Sequence, residues 1–69
     1  MYIGQKLGGR AHGYGVLLYK TGQKYTGWWA NGRWNGFGTL EMPNGNVIEG
    51  VFRDGAPTDL VIESQRAVQ

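Results

Sequence analysis

Sixty-nine residues confine the chain to one small domain or a short repeat array, because a chain of this length buries only about 60% of the surface it exposes when unfolded. It has no cysteine and one histidine, His12, so disulfides, thiolate metal centres and His-based relays are excluded, and no cofactor is expected. Seven Lys and Arg against five Asp and Glu give a net charge of +2, spread along a chain that is only 17% charged. That is not the basic stripe of a nucleic-acid binder, and no nucleic acid is expected as a partner.

Thirteen residues are glycine, a share far above the usual ~7%. No strict every-third-residue period accompanies them, which excludes collagen, and three Trp, four Tyr and two Phe argue against disorder. The glycines instead recur at a step of 23: Gly4, Gly27 and Gly50; Gly9, Gly32 and Gly55; Gly13 and Gly36; Gly15 and Gly38. Tyr2, Tyr25 and Ile48 keep the same step, as do Lys6, Trp29 and Phe52, and so do Leu17 and Leu40. Three registers of one unit are present, the third half conforming.

In chain order, strands are predicted at about 2–6, 13–19, 24–29, 36–42, 47–52 and 59–63, with turn signals between them at Gly8-Gly9, Thr21-Gly22, Asn31-Gly32, Asn44-Gly45 and Asp54-Gly55. Such pairs suit type I′ hairpin turns, which need positive φ at both central residues. Short connections make neighbours antiparallel. The expected fold is therefore all-β: an antiparallel meander of about six short strands, three 23-residue hairpin units in an open, elongated, single-layer sheet. The units are 2–24, 25–47 and a partial 48–57. Residues 58–69 form a tail in which Val61-Ile62 favours strand, while Thr58 or Asp59 suits the cap of a short helix.

Tyr25, Gly27, Trp29, Gly32, Gly36 and Gly38, spaced Tyr-x-Gly-x-Trp-x-x-Gly-x-x-x-Gly-x-Gly, resemble the MORN (membrane occupation and recognition nexus) repeat, and the resemblance recurs in register over residues 2 to about 56. It implies hairpins stacked side by side and a binding or spacing role in place of catalysis. His12 stands where the next copy has Asn35, and Asp54 is accounted for by Asp-Gly turn chemistry. Glu41 and Glu49 are expected near each other across the 43–46 turn as a solvated pair.

Alternation along the strands sorts the side chains onto two faces. The first carries the structural core of the repeat: Tyr2, Gly4, Leu17, Tyr25, Gly27, Trp29, Leu40, Ile48, Gly50 and Phe52, aromatic rings lying over glycine backbone. The second should be polar if it faces water, yet it holds Tyr14, Val16, Leu18, Trp28, Phe37 and Val51 beside Val47, Thr26, Thr39 and Glu49. By the resemblance, a charged residue is common where Trp28 and Val51 stand. An apolar second face marks a contact surface for other protein subunits. The alternative reading is a peripheral membrane module whose Arg10, Arg33, Lys20 and Lys24 meet acidic phospholipid headgroups.

Open edges at the two ends of the sheet add self-association as a further expectation. Pro57, which lacks an N–H, is expected to stop pairing near the C-terminal end, whereas the N-terminal edge is unguarded, as in a fragment of a longer array or an edge that docks. The longest apolar run, Val16-Leu17-Leu18-Tyr19, is far below the ~20 residues that span a bilayer, and Met1 leads straight into patterned sequence. The expectation is a non-catalytic interaction module or small structural subunit inside the cell, soluble or peripheral.

Overall fold

The computed structural model describes residues 1–65, and these form one open six-stranded sheet in sequence order, every neighbour antiparallel. The strands are β1 (Tyr2–Leu7), β2 (Arg10–Leu18), β3 (Lys24–Ala30), β4 (Arg33–Glu41), β5 (Asn46–Arg53) and β6 (Ala56–Gln65). Residues 58–65, for which strand and helix were both open, belong to β6; residues 66–69 lie outside the described residues. Pro57 does not stop pairing. It sits opposite Phe52 in the third hairpin, and β6 runs on to Gln65.

Two kinds of turn alternate. Gly8-Gly9, Asn31-Gly32 and Asp54-Gly55 have positive φ at both positions, the type I′ signature. At Thr21-Gly22 and Asn44-Gly45 only the glycine does, so these are not type I′. There Gly22 N–H donates to the Tyr19 carbonyl at 3.0 Å and Tyr19 N–H to Gln23 at 2.9 Å; 23 residues on, Gly45 and Met42 repeat the pattern at 3.1 and 2.8 Å. The three-residue loop with a left-handed glycine at its end is the standard alternative. Strands β2 and β4 also begin about three residues earlier than the sequence suggests, because a two-residue turn starts the ladder at once.

Each hairpin contains the same bulge. Between Gly4↔Gly15 and Lys6↔Ala11 the first strand advances two residues and the second four, and the shift recurs between Gly27↔Gly38 and Trp29↔Trp34 and between Gly50↔Val61 and Phe52↔Pro57. The surplus falls on 12–14, 35–37 and 58–60. Gly13 (φ 96°) and Gly36 (φ 106°) supply the left-handed backbone in the first two. In the third, Asp59 stands at that position without positive φ, and the Thr58 hydroxyl holds the bulge, donating to the Val51 carbonyl at 2.7 Å and accepting from Leu60 N–H at 3.1 Å.

The core lies on the first face. Tyr25 and Phe52 are wholly buried, Trp29 and Leu40 nearly so, with Tyr2, Ala11, Leu17, Trp34, Met42 and Ile48 packed around them. Burial of each large side chain contributes about 1.5–3 kcal/mol. Trp34, which recurs in no other unit, stacks flat on Tyr25 (4.9 Å between centroids, 7° between planes) and donates from Nε1 to the Tyr19 hydroxyl at 3.1 Å. Val47, read from alternation as part of the wet face, is buried at 1% exposure. Successive units are tied by the same bond: Gly32 N–H donates to the Ala11 carbonyl, and Gly55 N–H to that of Trp34.

Candidate interaction face

The bulges set the geometry of the second face. Tyr14, Phe37 and Leu60 are the last bulge residues of their units, and each is exposed (49%, 70% and 70%). Gln5, Trp28 and Val51 stand at the matching positions of the first strands. In the first unit Gln5 Oε1 accepts from Tyr14 N–H at 2.7 Å and lies over Gly13. In the second, Trp28 takes that place: its Cβ packs on Gly36 and its ring meets Tyr14 edge-on at 5.5 Å. Trp28 remains half exposed there.

Between these side chains runs an open groove of about 470 Å³. Tyr14, Trp28, Phe37 and Ile62 form its apolar walls, and Gly27, Gly38 and Gly50 lie along it with Thr26, Thr39 and Glu49. The side chain that Gly38 lacks would point at the Tyr25 ring on the other face, so on this face the sheet backbone forms the groove floor between the flanking side chains. Of the six residues singled out from the sequence, Tyr14, Trp28 and Phe37 line the groove. Val16 and Val51 are half-buried and Leu18 is exposed outside it, although all three share the face. Leu60 and Ile62, exposed at 70% and 75%, were missed. A step of 23 from Phe37 and from Thr39 reaches them, but their face is undefined until the tail is known to be a strand.

The basic residues do not gather. Arg10 and Arg33 follow the two-residue turns at one end of the sheet, while at the other Lys20 lies in the turn between units and Lys24 opens β3. Lys24 is paired with Glu41 at 3.7 Å. Glu41 therefore sits beside a cation on β3, and Glu49 stands opposite Thr39. Among the described residues, no three His, Asp or Glu side chains come together as a metal site, and no helix is long and apolar enough to cross a membrane. His12 is half-buried and accepts a long hydrogen bond from Asn31 N–H at 3.4 Å through Nδ1.

Comparison with known proteins fits this repeating geometry. The family model for the MORN repeat matches twice, over residues 2–24 and 25–47. The chain belongs to the MORN repeat family. Among curated proteins it is similar to Alsin from Mus musculus and from Homo sapiens, 42% identical to each over 43 residues. The aligned segment is 62% of this chain and 3% of Alsin, so the chain spans a very small part of those relatives. This MORN chain thus places its repeat glycines under aromatic rings on one face and beside an apolar groove on the other.

Proposed function

We propose that this MORN chain is a non-catalytic interaction module that holds another protein subunit on its second face, in the groove walled by Tyr14, Trp28, Phe37 and Ile62. The observation that carries it is the exposure of large apolar side chains around a glycine-lined groove. On a single-layer sheet such a surface costs solvation free energy in isolation, and a partner that covers it removes that cost. Trp and Tyr at the centre of a patch, flanked by Thr and Glu, match the makeup of contact surfaces whose aromatic anchors dominate binding. The dispersed basic residues, one of them already paired with Glu41, give the acidic-phospholipid reading no comparable site.

The experiment compares protein capture by the wild-type chain, by Trp28→Lys and by Arg10→Glu/Arg33→Glu, with sedimentation on acidic vesicles run in parallel. Loss of a stoichiometric protein partner in Trp28→Lys alone supports the proposal. Salt-sensitive vesicle binding that the arginine reversals abolish, with no protein lost in Trp28→Lys, overturns it in favour of the membrane reading.

A further inference from the structure

The two outermost strands, β1 and β6, each have a neighbour on one side only among the described residues. From the register of the internal junctions we infer that β6 of one copy of this chain pairs with β1 of a second copy, extending the sheet head to tail.

Inside the chain the junctions between units share one register: Leu17↔Tyr25 and Gly13↔Trp29 at the first, Leu40↔Ile48 and Gly36↔Phe52 at the second. One more step of 23 places Glu63 opposite Tyr2 of the next copy and Asp59 opposite its Lys6. At the internal junctions the residue corresponding to Lys6 is buried apolar surface. Trp29 meets Tyr2 of the preceding unit edge-on at 5.5 Å, and Phe52 meets Tyr25 at 5.2 Å. At the outer edges both sides of that contact have changed together: Lys6 replaces the aromatic ring, and Asp59 and Glu63 replace Gly and Leu. All three are exposed.

The other face supports the same register. Ile3 (65% exposed) and Ile62 (75% exposed) both stand open to solvent, and the extra step sets them directly opposite each other. Tyr2 of the next copy arrives beside a cleft of about 260 Å³ lined by Met42, Ile48 and Glu63. The tie between units also has its acceptor ready: the carbonyl of Pro57 stands where those of Ala11 and Trp34 receive Gly32 and Gly55 N–H, facing Gly9 of the incoming copy. Proline lacks a donor and keeps that acceptor. Charges on an edge strand also serve to repel other edges, but here the signs are opposite in the one register the repeat dictates, and opposite charges directly across a ladder stabilise it.

A head-to-tail contact is heterologous and grows openly. The untagged chain is examined by sedimentation velocity across a wide concentration range, with Lys6→Glu, Asp59→Lys and an equimolar mixture of the two. Both positions are exposed, and circular dichroism checks that each variant keeps its β-sheet. The expected result is growth beyond a dimer for the wild type, association about tenfold weaker in each variant alone, and recovery in the mixture, where every junction again pairs opposite charges. A monomer at all concentrations, a dimer that grows no further, or assembly indifferent to the two reversals overturns the inference. Trp28→Lys assembles normally on this account, so failure here is distinguishable from failure of the partner groove.

Discussion

The Tyr25 ring lies so closely on Gly38 that a Cβ at that glycine would overlap the phenolic oxygen, while the hydroxyl donates to the Trp28 carbonyl at 3.1 Å. Tyr2 and Gly15 repeat the relationship 23 residues earlier, with the Tyr2 hydroxyl donating to Gln5 at 2.6 Å. The repeat's Tyr and its second-strand Gly are therefore two halves of one packing unit.

Gly38→Ala should destabilise the chain by about 1–3 kcal/mol, the cost of forcing a methyl group into a packed site. Gly32→Ala has open space around its Cβ and φ near +80°, so its cost is backbone strain of about 1–2 kcal/mol. Urea unfolding with a two-state fit distinguishes them: the Gly38 variant also frees the Tyr25 ring, visible as a changed near-ultraviolet circular dichroism signal, whereas the Gly32 variant leaves that signal intact.

The third unit has lost both halves of the pair, with Ile48 for Tyr and Val61 for Gly. Ile48→Tyr alone should destabilise, because the new ring meets the Val61 side chain. Adding Val61→Gly should recover stability, with a coupling of about 0.5–3 kcal/mol between the two positions. Additive effects in the double-mutant cycle would show that the ring does not use the second-strand position in this unit.

Burial pushes the Tyr25 phenol up to about 12 from its ordinary 10.0. The folded state thus holds the proton more tightly than the unfolded chain. The associated stability is fully present below pH 10 and is lost as pH rises through 12. Denaturant midpoints for the wild type should fall across that window. Tyr25→Phe should be less steep there than the wild type, and an equal slope in both would mean that Tyr25 does not contribute.

The repeat period carried the sheet, its strand order and the ring-over-glycine face, because each depends on residues that recur. What recurrence could not reveal is what occurs once. Trp34 aligns with Ala11 and Pro57, so nothing in the period marks it as the ring stacked on Tyr25. The bulges were equally hidden: simple alternation holds only outside 12–14, 35–37 and 58–60, and the glycines at 13 and 36 read as repeat signature before they read as left-handed backbone. Val47 fell on the wet face by alternation, but lying on that face did not leave it exposed. On the candidate groove, Tyr14, Trp28 and Phe37 were legible as apolar residues on the wrong side of a strand. Ile62 in the groove and Leu60 outside it were not, because Ala56-Pro57-Thr58-Asp59 carries no strand signal and Thr58 holds the bulge by a hydroxyl that propensity alone does not anticipate.

The most direct measurement of the central claim replaces Phe37, 70% exposed at the groove wall, with a photo-crosslinking amino acid, and Lys20, exposed in the turn between units, with the same group as control. The account predicts a discrete protein adduct from position 37, absent from position 20 and lost when Trp28→Lys is added. Adducts of equal yield from both positions, or adducts to lipid alone, would contradict it.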